Sequence, residues 1–352
     1  MDEPIDAKDV RIISLLEANA RMSATSIGKR LKIPRPTVQL RIKKMTEFGI
    51  IRRFFARINS DMLGDHVVEL LLKLRRGDER TRISGEIANL PRVLCSFATR
   101  GEWDIYAGIA FNSVEELRDS INIICEMFED EIIQKDMIHA ISINPYKSDF
   151  VKDINNISGS EDIALDGGKR RKSRTRLTQN EADALEILRK NARIPTVELA
   201  EKMGVVPETA AKLIKSLLSK KVVSSYTILY DPKAIGYEKY MCLLSTGIIS
   251  KKQSAEFAKF AGDHKNITYM IQGIGAYDYV IDICAKNQYE LGEILTEINR
   301  SLGGKVTRQD VLFVENAEFG SSILNGKPER IYPINESSAK PAERKSARTS
   351  YS

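Results

Sequence analysis

The sequence predicts an α+β chain in which a winged helix-turn-helix domain is followed by a ferredoxin-like βαββαβ domain, the pair occurring twice. Two observations carry this. Segments recur at constant spacing: Asn19-Ala20-Arg21 returns as Asn191-Ala192-Arg193 and Gly64 as Gly236, 172 residues on in both cases (19 to 191, 64 to 236). Within each recurrence the apolar period switches from helical to alternating, from His66 onward in the first copy. A chain of 352 residues has room for two to four domains, so a duplicated pair fits its length.

The first helix is read from Val10, Ile13 and Leu16, whose spacing gives one buried stripe. Its apolar positions Val10, Ile12, Ile13, Leu15 and Leu16 map onto Ala182, Ala184, Leu185, Ile187 and Leu188. Ile27 and Leu31 mark a second helix, and Lys32-Ile33-Pro34 the turn after it. Val38, Ile42 and Met45 mark a third, with Pro36 in its first turn and Gly49 as its stop. Residues 50–58 are rich in β-branched and aromatic side chains and read as a two-stranded wing.

Beyond it, Val68, Leu70, Leu72 and Leu74 alternate as in a half-buried strand. A helix over 79–90 ends at Pro91, and strands follow over 93–99 and 105–111, joined by the turn Gly101-Glu102-Trp103-Asp104. Ser113 and Glu116 form a capping box for a helix reaching about Phe128, and 132–143 is the last strand. The order βαββαβ is the split-βαβ pattern. Segments 241–248, 251–264, 267–272, 277–284, 288–302 and 306–314 repeat it. There the turn Gly275-Ala276-Tyr277-Asp278 lies 174 residues after its counterpart (101 to 275), so a small insertion separates the copies. The predicted boundaries are 1–64 and 177–237 for the winged helices, 65–146 and 238–326 for the βαββαβ units, 147–176 for a flexible basic linker, and 327–352 for a disordered tail.

Charge then points to a partner. The third helix of the first copy carries Arg35, Thr37, Gln39, Arg41, Lys43 and Lys44 away from its apolar stripe, with Arg52 and Arg53 on the wing. From 29 to 57, Glu47 is the only acidic residue. Arg and Gln can pair bidentately with base edges, and flanking cations suit phosphates. The pattern is that of a helix entering the major groove of double-stranded DNA; the bland alternative is a solvated basic face. In the second copy Glu208 stands at the position of Pro36, Ala211 at Gln39, Leu213 at Arg41 and Ser216 at Lys44, while Ser224 and Ser225 replace Arg52 and Arg53. Thr209, Lys212 and Lys215 remain as candidate DNA contacts, so this copy is expected to read DNA more weakly.

The net charge of +6 is modest, and what matters is its clustering around the third helix and between the halves. The run 169–176 could lie along phosphates or merely be solvated linker. No apolar run approaches membrane-spanning length, and the first residues lack the pattern of a secretory signal. Cys95, Cys125, Cys242 and Cys284 are scattered, with neither metal-ligand nor disulfide spacing, and read as free thiols of a cytoplasmic protein. His66, His139 and His264 form no ligand set with them, so neither a metal nor a cofactor is expected.

On Asp6-Ala7-Lys8-Asp9, Asn19-Ala20-Arg21, the run 31–51 and the Gly-x-x-Asp turn at Gly101 and Asp104, the chain resembles two fused members of the Lrp/AsnC family of transcription regulators. The resemblance implies a DNA-binding regulator, not an enzyme, whose βαββαβ (RAM) domains pair sheet against sheet and often assemble further. It also implies an amino acid or related effector near the Gly-x-x-Asp turn, hence at Gly101, Asp104, Gly275 and Asp278; structural turn residues are the alternative. Both family units being present, the chain is expected to form an intrachain pseudo-dimer, and it could assemble further as a homo-oligomer. Two other classes share this outline: a haem-pathway (siroheme-type) decarboxylase, which would want a histidine near a macrocycle, and a ligand-sensing assembly protein without DNA.

Overall fold

The computed structural model describes residues 5–59, 66–146 and 175–319. The tail, Gly64 and all but the end of the linker lie outside the described residues.

Each copy opens with three helices. In the first they are α1 (Ala7–Ala18), α2 (Ala24–Leu31) and α3 (Arg35–Glu47). Asp6 caps α1, accepting from the N–H groups of Lys8 and Asp9, while Asp9 accepts from Asp6 N–H, a reciprocal capping box. Strand β1 (Ile51–Ile58) follows. The first βαββαβ unit is β2 (His66–Leu74), α4 (Arg80–Ala88), β3 (Val93–Arg100), β4 (Ile105–Phe111), α5 (Val114–Met127) and β5 (Ile132–Pro145). The second copy has α6 (Gln179–Lys190), α7 (Thr196–Met203), α8 (Pro207–Ser219) and β6 (Val223–Tyr230). Its βαββαβ unit is β7 (Glu238–Thr246), α9 (Lys251–Asp263), β8 (Ile267–Gly275), β9 (Tyr279–Ala285), α10 (Gln288–Ser301) and β10 (Val306–Phe319).

The expected wing takes another form. Residues 50–58 hold one strand, not two, and β1 pairs antiparallel with β6 of the other copy, Phe54 opposite Ile228 and Ala56 opposite Tyr226. The partner that satisfies this strand is about half a chain away, so local spacing could not reveal it. The Asn-Ala-Arg segments seal the junction with two-fold regularity. Arg21 Nη1 donates to the carbonyls of Ala192 (2.6 Å) and Ile194 (3.1 Å), and Arg193 Nη1 to those of Ala20 (2.6 Å) and Met22 (3.1 Å). Arg21 also lies over the Tyr226 ring and Arg193 over the Phe54 ring. Both helical triads share one hydrophobic core, with Ile13, Leu16, Val38 and Ile42 in the same cluster as Leu185, Leu188, Ile214 and Leu217.

The two βαββαβ sheets close on each other. The strand order is β10-β3-β4-β2-β5-β8-β9-β7, an eight-stranded barrel in which β10–β3 and β5–β8 join the copies. Helices cover the outside: Ile83, Ile87 and Ile124 pack on Leu70, Leu72 and Leu74, and Phe257, Ala261 and Ile294 on Cys242, Leu244 and Ile281. Strands β2, β4, β7 and β9 are therefore buried on both faces. Val67 and Leu71 of β2 point inward, where the sequence suggested a polar, solvated face. Trp103 and Tyr277, the third residues of the two turns, meet in this interior, indole Nε1–H donating to the Tyr277 hydroxyl at 3.0 Å.

Candidate nucleic-acid interface and ligand cavity

Val38, Ile42 and Met45 hold α3 against the shared core, which turns Arg35, Gln39 and Lys43 outward. At four-residue intervals these three align on one exposed helix face. Lys29, Arg30 and Lys32 are exposed beside it. Lys44 is exposed on α3 and Thr37 half-buried. Lys43 approaches Glu47 at 3.6 Å, but both are well exposed, so the pair holds it weakly.

Arg41 has a different occupation from the one expected. Its guanidinium bonds Asp9 at 2.9 Å and Asp6 at 2.9 Å, which pins α3 to the capping box of α1 and raises the guanidinium pKa, chiefly through the Asp9 hydrogen bond. The second copy builds the same lock from other residues. Glu181, the capping-box acid of α6, accepts from Lys220 Nζ and from Ser216 Oγ at 2.6 Å. Burial pushes the Glu181 carboxyl up, but Lys220, Ser216 and Thr178 outweigh it and hold the pKa at about 2. On α8, Lys212 and Lys215 are exposed, Thr209 is half-buried, and exposed Glu208 lies in the first turn.

Arg52 and Arg53 also depart from the expected DNA face. Arg52 pairs with Asp231 at 2.7 Å and donates to Asn316 Oδ1 at 3.1 Å, and Arg53 Nη2 donates to the Arg189 carbonyl at 2.9 Å. The physical reason is the β1–β6 ribbon, on which Arg53 is half-buried against α6 and Arg52, though exposed, is tied to Asp231 and to Asn316 of the barrel.

The Gly-x-x-Asp turns are built into that barrel. Asp104 is 5% exposed; Oδ2 accepts from Leu74 N–H at 3.0 Å, and Oδ1 accepts from Arg80 at 3.0 Å. Asp278 Oδ2 accepts from Thr246 N–H at 2.7 Å and from its hydroxyl at 3.2 Å. Gly101 (φ +143°) and Gly275 (φ +140°) adopt backbone that L side chains avoid, and a Cβ there would lie 2.8 Å from the Val311 carbonyl and 2.2 Å from that of Met137. The two glycines abut the seams where the copies join, the two aspartates brace strands within their own copies, and direct effector contact at the carboxylates would compete with these bonds.

A cavity of about 290 Å³ opens between the ribbon and the adjacent end of the barrel. Arg52, Arg53 and Arg57 line it from the ribbon, and Glu69, Lys239 and Asp282 from the barrel. Lys239 Nζ lies 2.7 Å from Asp282. Glu69 is 3% exposed, and its Oε2 is a buried atom without a hydrogen-bond partner. Burial pushes its carboxyl up to about 7, with Asp282 adding to the shift and a hydrogen bond from Tyr106 opposing it. Sequence reading missed Glu69; the signal was a lone charge between Val67 and Leu71, on the strand face taken for solvent. The three histidines lie elsewhere. His66 and His139 stack with Phe111 at ring separations of 5.4 to 5.8 Å, and His264 lies 3.2 Å from Glu297. None lines the cavity. Among the described residues no cluster of His, Cys, Asp and Glu could hold a metal.

Comparison with known proteins places this geometry. Residues 5–46 match the AsnC-type helix-turn-helix domain, and 177–224 the winged helix-turn-helix DNA-binding model. An uncharacterized HTH-type transcriptional regulator of Pyrococcus abyssi is 32% identical over 120 residues, which are 33% of this chain and 80% of that protein. The HTH-type transcriptional regulator Ptr1 of Methanocaldococcus jannaschii is 33% identical over 113 residues, 32% of this chain and 76% of that protein. Such relatives correspond to one of the two units. Among solved structures, the siroheme decarboxylase NirDL shares the fold over 90% of this chain and 93% of its own, at TM-score 0.56 and 14% identity. At that identity the likeness concerns the fold alone.

Proposed function

The chain belongs to the Lrp/AsnC family of transcription regulators, with two family units fused in one polypeptide, and from that premise we propose that it reads DNA chiefly through α3 of its first copy. It is a DNA-binding transcription regulator. The observation that carries the finer reading is the contrast between two equivalent helices. α3 exposes Arg35, Gln39 and Lys43 along one face, while α8 exposes Lys212 and Lys215 beside an acidic first turn. A glutamate there suits the helix dipole but repels phosphate.

Arg35 and Gln39 are the base-reading candidates, and Lys43 with Lys44 the phosphate-binding ones. A small-molecule effector, of which an amino acid is the simplest candidate, would act through the barrel to which the helices are tied. Genomic fragments selected on the full chain supply the target, and fluorescence anisotropy on that target tests the assignment. Arg35→Ala or Gln39→Ala should flatten the preference for the selected fragment over scrambled DNA. Lys43→Ala should weaken both alike. Greater damage from Lys212→Ala and Lys215→Ala than from these would reverse the assignment of the copies.

A further inference from the structure

We propose that the cavity between the β1–β6 ribbon and the barrel is a binding site for a small dipolar molecule, its carboxylate held by Arg57 and its amine by Glu69. The site is distinct from the Gly-x-x-Asp turns, and the proposal rests on the reading of the chain as a ligand-responsive regulator.

The chemistry of the walls carries the inference. Glu69 Oε2 is buried without a hydrogen-bond partner, an arrangement that costs stability unless something supplies a donor. Room has been left for it, since a Cβ on Gly108 opposite would meet this oxygen at 3.0 Å. Arg57, at the ribbon side, is half-buried; its guanidinium makes no side-chain hydrogen bond or close ion pair among the described residues, and Glu17, which also lines the cavity, attracts it without pairing. No ion pair joins Arg57 and Glu69 among the described residues. Of the other acids lining the cavity, Asp282 is matched by Lys239, Asp231 by Arg52, and Glu315 by Arg80 and Arg100. An arginine without a side-chain hydrogen bond and a buried carboxyl with one oxygen unpartnered thus line a common space with apolar walls such as Met241 and Ile271. A molecule carrying an amine and a carboxylate on a short apolar body meets both, and a guanidinium binds a carboxylate with paired hydrogen bonds.

The internal duplication gives an independent argument. A polar interior demanded by the fold would recur at equivalent positions of the second copy. It does not: Leu229 stands at the place of Arg57, Ser225 at Arg53, Met241 at Glu69, and Asp282 at Gly108. Arg57 and Glu69, the charges that make the cavity dipolar, both belong to the first copy, as a site for an unsymmetrical ligand requires. Its position supplies the consequence. Arg57 belongs to the ribbon that joins the two helical triads and Glu69 to the barrel, so an occupant bridges the DNA-binding body and the barrel. Any preference of the ligand for one relative placement of the two changes DNA affinity.

The test is calorimetry on the full chain with a panel of α-amino acids, 4-aminobutyrate and 6-aminohexanoate, and with hexanoate and hexylamine as one-headed controls. At least one dipolar compound should bind, and the one-headed controls should bind about tenfold or more weakly. Arg57→Gln should remove the advantage over the amine control, and Glu69→Gln that over the carboxylate control. Lys43→Ala, altered on the outer face of α3, should keep ligand affinity while losing DNA affinity, which separates failure of this site from failure of the DNA reading. The proposal is overturned if no dipolar compound binds at millimolar concentration, if the one-headed controls bind equally well, or if both cavity variants retain full affinity. Binding of a polycarboxylate tetrapyrrole in preference to every amine, seen by its visible absorbance, would also overturn it.

Discussion

At the scale of single residues, Glu69 makes the stability of the whole protein depend on pH in an unusual direction. Its carboxyl has a folded pKa of about 7 against an ordinary value of 4.5, raised first by burial. Between those values the native chain keeps a proton that the unfolded chain has released. Stability therefore falls as pH rises through this window and levels off above pH 7. A shift of this size corresponds to about 3 kcal/mol. Glu69→Gln should raise the melting temperature at pH 8 and leave it nearly unchanged at pH 4.5, as thermal unfolding across that range would show. Parallel profiles for the two proteins would mean that the carboxyl is hydrated and its titration ordinary. Glu181 contributes the opposite dependence, lost as pH falls from 4.5 toward 2, so the two effects occupy different windows. Local spacing made Arg35, Gln39 and Lys43 legible, because exposure on a helix follows from the apolar stripe opposite. Arg41 and Glu69 were not legible for the same reason. The first is decided by a capping box on another helix, the second by a sheet face that becomes an interior only when the barrel closes.

At the scale of elements, the lock between α1 and α3 predicts a way to separate structural arginines from DNA-reading ones. Arg41 bonds Asp6 and Asp9, so Arg41→Ala should cost about 1 kcal/mol of stability and loosen the seating of α3. Its DNA affinity should fall with the salt dependence intact, since no phosphate contact goes with it. Lys43→Ala should lower the slope of log K against log salt by about 0.9, the signature of one phosphate contact. Titrations at several salt concentrations distinguish them, and an equal loss of slope in both would return Arg41 to the DNA face. The helices and strands themselves follow the sequence closely, since apolar period, caps and glycine stops are local. The wing does not. A run such as residues 51–58 states that it is a strand without stating its partner, and the nearest hairpin was the wrong one. Asn19-Ala20-Arg21 illustrates the converse: its repetition was plain, yet its use, Arg21 reaching the carbonyls of Ala192 and Ile194, depends on the second copy being present.

At the scale of the whole molecule, the fused copies form the pair that separate subunits would otherwise have to make. They share a helical core, a ribbon and a closed barrel. Each copy alone would leave β1 or β6 unpaired and expose barrel edges, a recipe for aggregation, so residues 175–319 produced alone should be insoluble. Nicking the segment 147–174 in the intact protein should instead leave the halves together on a sizing column. Arg21→Ala and Arg193→Ala each strand two carbonyls at the same kind of site, and by the pseudo-symmetry they should cost similar amounts, about 1–3 kcal/mol each, in urea unfolding. The same pairing decides the shape of the DNA site. Within one chain the two equivalent third helices are α3 and α8, the first carrying Arg35, Gln39 and Arg41, the second neither arginine nor glutamine. A two-fold arrangement of unlike readers has no need of a palindrome. One half-site should be strongly specified and the other tolerant, each mismatch in the first costing about 1–3 kcal/mol and mismatches in the second much less. Footprinting with light scattering on the complex measures this directly. A single chain protecting an asymmetric site is the expected result. Two chains on a symmetric palindrome, each contributing its α3, would show that like pairs with like across molecules and that the intrachain pairing is not the one that reads DNA.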